Sequence, residues 1–113
     1  MLVRNGIYVL FAAFLWSSCS SSPETPTPRM RTVLIKGMQF QPAELTVNVG
    51  DTIQWINRDF VDHDVTEESS KAWSSSLMPA GKSWSMVVTG NSNYYCGIHQ
   101  VMKGRILISK LAN

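Results

Sequence analysis

Apolar side chains recur at every second position over much of the chain, in short runs that are separated by turn residues. Leu45, Val47 and Val49 alternate with polar residues, a Gly-Asp turn follows, and Ile53 and Trp55 continue the alternation. A period of two is the spacing of a β-strand with one buried face, and no window keeps the 3.6-residue spacing of a helix. The pattern therefore predicts an all-β protein.

Further segments of the same kind allow the strands to be counted. Trp84, Met86 and Val88 alternate after a second turn at residues 79–81, whereas the polar, Ser-rich stretch 67–76 is expected to be irregular or a weak edge strand. Short strands are also expected at residues 33–36, 94–96 and 105–109. A total of seven to eight short strands favours a single Greek-key β-sandwich.

The N-terminal part of the chain has a different composition and is interpreted as an export signal. Arg4 gives a positive start, residues 7–16 form an apolar run, and two serines and Cys19 follow. A run of ten residues is too short to cross a bilayer as a helix, which needs about 20. We therefore assign residues 1–18 to a signal peptide.

Cys19 directly after such an apolar run resembles the lipobox of bacterial lipoproteins, in which the cysteine carries the lipid. The alternative is that an ordinary signal peptide is cleaved nearby and that Cys19 has no special role. It is considered because Trp16 stands where that motif usually has an aliphatic residue. In both cases the protein is expected to be exported. It would be either periplasmic or anchored to a membrane as a bacterial lipoprotein.

Residues 19–31 are rich in Ser, Thr and Pro, which is typical of an extended tether without a core. Residues 32–113 are then the one folded domain, of a size that can fold alone. The formal net charge is only +2, and no basic stripe is interleaved with aromatic residues, so nucleic acid is not an expected partner. We expect a monomer.

The segment 96–102 reads Cys-Gly-Ile-His-Gln-Val-Met and places a thiol, an imidazole and a thioether at three-residue intervals. The other of the two histidines in the chain is His63, far upstream. Copper that alternates between Cu(I) and Cu(II) requires both soft sulfur and imidazole, and a His₂Cys plane with a weak axial Met supplies them. The pattern predicts one copper ion bound by His63, Cys96, His99 and Met102, and an electron-transfer function.

Other interpretations of these residues are less consistent with their spacing. Zinc favours paired Cys or His at short spacing and seldom recruits Met, and a thiolate-bridged binuclear copper site would need a second Cys in the domain. An alternative without any metal is that Cys96 and Met102 fill the core and the histidines lie on the surface. In an exported protein, however, a cysteine without a disulfide partner suggests a metal ligand.

The motifs around these residues resemble the cupredoxin family, closest to its plastocyanin, pseudoazurin and amicyanin group. Residues 50–57 resemble the family's Gly-Asp strand that leads to a Trp and an Asn. His63 with the next two residues matches the first histidine motif, and residues 94–99 match the ligand loop. The two-residue gap between His99 and Met102 is amicyanin-like. The resemblance spans the whole domain and implies a type I (blue) copper electron-transfer protein that is not an enzyme.

By the same resemblance, His63, Cys96 and His99 would be the strong equatorial ligands and Met102 the long axial one. His99 would serve as the electron port within an apolar patch, where a redox partner such as a cytochrome or an oxidoreductase docks transiently. The candidates for this patch are Ile98, Val101, Met38, Phe60 and Pro79. For Met38 and Phe60 the sequence favours a place in the core.

Asp64 departs from the family, because many relatives have an Asn that ties the two ligand loops together at this position. We expect its backbone amide to donate to the Cys96 sulfur. Its carboxylate could accept hydrogen bonds across the loops and lower the reduction potential, or it could be a solvated loop group.

Asp64 is part of an acidic run around His63. The run consists of Asp59, Asp62, Asp64, Glu67 and Glu68. Such charges could steer a positively charged partner, but we expect them to be ordinary solvated loop residues.

Two other classes of function compete with electron transfer. A copper storage or delivery protein without a redox role would exchange its metal readily, and four ligands at a closed site argue against that. A copper enzyme would need an exchangeable water position, which Met102 would fill.

Overall fold

Two four-stranded sheets face each other in the computed structural model, which describes Gly6 and residues 9–110. The strands are β1 (Met30–Lys36), β2 (Gln39–Gln41), β3 (Glu44–Val47), β4 (Thr52–Asn57), β5 (Thr66–Glu67), β6 (Ser83–Val87), β7 (Ser92–Tyr95) and β8 (Lys103–Ile108). The described residues contain no helix, so none that could span a membrane is found there. The predicted all-β sandwich is confirmed.

Each sheet combines antiparallel pairs with one parallel pair. The first sheet has the order β2-β1-β4-β6 and the second the order β3-β8-β7-β5. The parallel pairs are β1 with β4 and β3 with β8. Because β1 and β4 run in the same direction, both end at one end of the sandwich, and the loops that follow them lie close together.

Aromatic rings join the two sheets in the core. Trp55 on β4 meets Tyr94 on β7 edge-to-face, with 5.4 Å between ring centroids, and Phe40 on β2 meets the same ring at 4.8 Å. Edge-to-face pairs contribute about 0.5–1.5 kcal/mol each beyond the area that they bury. Burial of Tyr94 also raises the pKa of its hydroxyl to about 12, so the ring remains neutral at physiological pH.

Two further tryptophans cover one side of the sandwich, where the edge strands β6 and β5 leave the space between the sheets open. Trp84 on β6 stacks on Trp73, which follows β5, with 5.9 Å between ring centroids. Trp84 also lies 5.5 Å from Trp55, so the surface pair is continuous with the core. Both outer rings are half-buried.

The strands expected at residues 33–36, 94–96 and 105–109 are present as β1, β7 and β8. β1 begins at Met30, within the residues that the sequence analysis gave to the tether. The stretch 67–76 is irregular, as expected, with only the two-residue β5 at its start. β2 was not anticipated, because three residues with one apolar side chain carry no detectable alternation.

Val49 does not continue the apolar face of Leu45 and Val47, and the prediction that it does is wrong. β3 ends at Val47, and Val49 is 61% exposed. The buried carboxylate of Asp51 accepts hydrogen bonds from the amides of Asn48 (3.0 Å) and Arg29 (2.8 Å). These bonds turn the chain immediately after β3, and they lower the pKa of Asp51.

Gly104 on β8 lies directly beneath the ring of Tyr94, its partner on β7. A Cβ atom at this position would lie 2.1 Å from the Cζ of Tyr94, so Gly104→Ala must displace the ring. We expect a loss of about 1–3 kcal/mol in the free energy of unfolding, measured by urea denaturation. Gly90→Ala is the control, because a Cβ atom there has no neighbour within 4 Å. Equal stability of the two variants would contradict this packing.

Candidate metal centre

Three loops meet at the end of the sandwich where β1 and β4 finish. Residues 58–65 follow β4, residues 96–102 join β7 to β8, and residues 78–82 lead into β6. His63 and Met78 exchange backbone hydrogen bonds of 3.2 and 2.8 Å, which fixes the first loop to the third. The sheets therefore bring residues that are distant in sequence to one place.

The side chains of His63, Cys96 and His99 converge there on a small triangle. The Cys96 Sγ lies 3.8 Å from the His63 Nδ1 and 3.7 Å from the His99 Nδ1, and the two nitrogens are 3.2 Å apart. His63 and Cys96 are fully buried, whereas His99 is half-buried. A first-row metal ion bonded at about 2.0–2.1 Å to nitrogen and about 2.3 Å to sulfur fits a triangle of this size.

Asp59 determines which nitrogen of His63 faces the triangle. Its Oδ2 lies 2.8 Å from the His63 Nε2. A carboxylate accepts, so Nε2 carries the proton and the lone pair of Nδ1 is free for a metal. Burial of Asp59 acts to raise its pKa, but the amides of Met38 and Gly37 and the bond with His63 outweigh it, and its pKa lies below the usual value. Sequence analysis did not assign this role to Asp59.

Met102 closes the loop that carries Cys96 and His99. Its amide donates to the His99 carbonyl at 2.9 Å, and its carbonyl accepts from the Cys96 amide at 3.2 Å. The Met102 side chain is only 2% exposed. The structure thus brings the ligand atoms of three predicted ligands, His63, Cys96 and His99, close together. Met102, the fourth, is buried in the loop that carries Cys96 and His99.

Asp64 links the two ligand loops, as one of the two sequence interpretations anticipated. Its amide donates to the Cys96 Sγ at 3.4 Å, and its Oδ1 accepts from the Gly97 amide at 2.7 Å and from the Thr66 hydroxyl at 3.0 Å. A Cβ atom at Gly97 would lie 2.9 Å from the other carboxylate oxygen, so a larger residue here would displace the Asp64 side chain. The solvated alternative for Asp64 is wrong.

The expectation that the acidic run is a set of solvated groups is also wrong for Glu67. This side chain is buried, and its carboxylate accepts hydrogen bonds from the amides and hydroxyls of Ser69 and Ser70. The Ser69 hydroxyl and the Ser70 amide hold the pKa of Glu67 well below its usual range. Glu68 forms an ion pair with Lys103 at 2.6 Å, and Asp62 is exposed.

All five candidates for the apolar patch are exposed, and the expected place of Met38 and Phe60 in the core is wrong. Met38 lies in the turn between β1 and β2, and Phe60 lies in the loop after β4. Neither position faces the opposite sheet, so neither side chain can reach the core. Ile98 and Val101, in the 96–102 loop, are exposed as well.

Comparisons with known proteins agree with this geometry. Residues 30–109 match the family of copper-binding proteins described as the plastocyanin/azurin family. Amicyanin from Paracoccus denitrificans is 31% identical over 80 residues, which cover 66% of this chain and 61% of the relative. Amicyanin from Paracoccus versutus is 22% identical over 80 residues, which cover the same percentages of the two chains. The matched part therefore spans less than two thirds of the length of these relatives.

Solved structures of amicyanin variants are similar to this fold. The Cu(I) form of a variant with methionine replaced by alanine has a TM-score of 0.65 and 30% identity, covering 69% of this chain and 80% of that one. The Cu(I) form of a methionine-to-glutamine variant has a TM-score of 0.66 and 29% identity, covering 71% and 82%.

Asp59→Asn tests the orientation of His63, because the asparagine side chain has one acceptor oxygen and no charge. It cannot accept from the Gly37 amide on one side and from His63 Nε2 on the other. We expect copper affinity to fall about 10- to 100-fold, measured by competition with a chelator of known affinity. Asp62→Asn is the matched control, an exposed carboxylate next to His63 in the same loop. If both variants bound copper as tightly as the wild type, Asp59 would serve only to close the turn.

Proposed function

The chain belongs to the plastocyanin/azurin family of copper-binding proteins, and on this premise we propose that it carries single electrons between redox proteins. The proposed ligands of its one copper ion are His63, Cys96, His99 and Met102. The observation that carries the proposal is the convergence of two imidazole nitrogens and one buried thiol sulfur within 3.8 Å, with a buried methionine closing the loop. Copper supplies reversible one-electron chemistry at such a donor set.

The residues around the site favour an electron carrier over an enzyme. Full burial of His63 and Cys96 excludes water from the protein side, and Met102 closes the ligand loop. Asp59 and Asp64 fix the loops by hydrogen bonds, so the ligands have little freedom to rearrange when an electron arrives or leaves. A catalytic metal site would instead keep an open coordination position.

The same features distinguish electron transfer from copper storage or delivery, the alternative function. A protein that hands its ion to another needs ligands that can be displaced, and two of the proposed ligands here are fully buried. Voltammetry that cycles reversibly without loss of copper would support the electron carrier. Release of copper on each reduction would support delivery.

His99 is the proposed electron port, because it is the half-buried member of the triangle. Ile98, Val101, Met38 and Phe60 lie exposed on the loops of the same end and offer an apolar docking surface. Glu68 is paired with Lys103, and Glu67 is buried, so we expect apolar contact to contribute more than acidic steering to docking of a cytochrome or an oxidoreductase. Such a docking interface is small and transient.

We also propose that the protein is exported, with residues 1–18 as signal peptide and Cys19 as the lipidated first residue of the mature chain. The tether enters β1 at Met30, which pairs with Thr52 at the start of β4, whereas the metal end lies beyond Asn57 at the other end of β4. The Arg29 amide donates to Asp51 and fixes this entry. The tether would therefore join the domain at the end opposite the copper site.

The copper-loaded protein is expected to absorb intensely in the visible range, because the Cys96 thiolate donates charge to Cu(II). Cys96→Ser should abolish this absorption. Cys19→Ser is the control and should leave it unchanged, because Cys19 is exposed outside the sandwich. The assignment fails if the Cys96→Ser variant remains equally coloured, or if the wild type binds zinc but not copper.

Lipidation is tested by fractionating bacteria that express the native chain. We expect the wild type in the membrane fraction and Cys19→Ala in the soluble fraction, because the several acyl chains of a lipoprotein hold firmly where a single chain would not. Ser18→Ala, which keeps the cysteine, is the control. Recovery of wild type and Cys19→Ala in equal soluble amounts would indicate a freely diffusing periplasmic protein.

A further inference from the structure

Met38 has a backbone conformation that is unusual for its residue type. It forms a two-residue turn with Gly37 between β1 and β2, and both residues have positive φ angles, 59° for Gly37 and 58° for Met38. Turns of this kind favour Asn and Gly, because the left-handed region crowds a Cβ atom. Strained positions of this sort cluster at functional sites. The turn itself gives no reason for a methionine here.

The carboxylate of Asp59 imposes this conformation. Its Oδ1 accepts from the Gly37 amide at 2.7 Å, and its Oδ2 accepts from the Met38 amide at 3.0 Å. The same Oδ2 lies 2.8 Å from the His63 Nε2. One side chain thus fixes Met38 and a proposed copper ligand relative to each other.

Met38 borders a surface cavity of about 320 Å³ that Met102 also lines. Met38 is 40% exposed, whereas Met102 is buried, so the cavity joins an exposed thioether-bearing residue to a buried one. The rest of the lining comes from Gln39, Phe40, Ala43, Val101 and Lys103. The Lys103 ammonium group is paired with Glu68 at 2.6 Å, which offsets the one positive charge at the rim.

We propose that Met38 is the entry site for copper in the Cu(I) state. Its thioether captures the ion at the surface and passes it through the cavity to Met102 and the His63–Cys96–His99 triangle. Thioethers select Cu(I) over harder ions, and a single one holds the ion only transiently. The copper keeps its oxidation state, and the Cys96 thiol releases its proton to solvent as its sulfur binds the ion. The proposal rests on the proposed ligand set.

The test is the rate at which the metal-free full chain takes Cu(I) from its bicinchoninate complex, followed by the fading colour of that complex. Met38→Leu keeps the apolar volume but removes the sulfur, and we expect uptake at least tenfold slower with the same final amount bound. Met38→Asn relieves the strained turn without a thioether, and it should raise the melting temperature yet also slow uptake. Met30→Leu, which removes an exposed thioether at the other end of β1, is the control with an unchanged rate.

Loading with aqueous Cu(II) distinguishes a role of the Met38 thioether in Cu(I) capture from a purely structural role of Met38. Cu(II) has little affinity for thioethers, so Met38→Leu should load Cu(II) at the wild-type rate. Wild-type Cu(I) uptake in Met38→Leu, or equal slowing for both oxidation states, would overturn the entry site while leaving the electron carrier intact. Failure of the wild type to bind copper at equilibrium would instead reject the proposed function itself.

Discussion

Two imidazole nitrogens and a thiol sulfur must be held within 3.8 Å of one another in a largely buried place. This constraint governs the other parts of the molecule. Polar atoms that are buried without partners are costly, so the arrangement needs a scaffold that restrains it from several sides. Asp59 restrains the His63 ring and Asp64 restrains the Cys96 loop, each through hydrogen bonds between segments distant in sequence. A donor set restrained in this way is suited to an ion whose charge changes while its ligands stay in place.

The sandwich meets this constraint through the direction of its strands. Parallel pairing of β1 with β4 brings the β1–β2 turn and the loop after β4 to the same end, where Asp59 connects them. Across the core, Trp55 and Tyr94 join the sheet that leads to His63 with the sheet that leads to Cys96. The aromatic core therefore determines both the stability of the fold and the distance between the two ligand loops.

The sequence was sufficient to predict the elements with strong local patterns. Alternation around Ile53 and Trp55 predicted a central strand, and the spacing from Cys96 to Met102 predicted the donor set, because the ligand type follows from residue chemistry. Asp59, Glu67 and Met38 were assigned wrongly or not at all. A carboxylate that accepts amide hydrogen bonds in a tight turn has the same sequence appearance as one that faces water, and only the folded loops distinguish them. Phe60 was expected in the core because hydrophobicity alone cannot reveal that a loop has no facing sheet.

The most direct measurement is a crystal structure of the copper-loaded protein, with anomalous diffraction recorded on both sides of the copper absorption edge. The account predicts one strong copper peak bonded to the Nδ1 atoms of His63 and His99 and to the Sγ of Cys96, with the Met102 sulfur at a longer distance. The surrounding loops should keep the hydrogen bonds of Asp59 and Asp64. A copper peak elsewhere on the molecule, or coordination that excludes Cys96, would contradict the account.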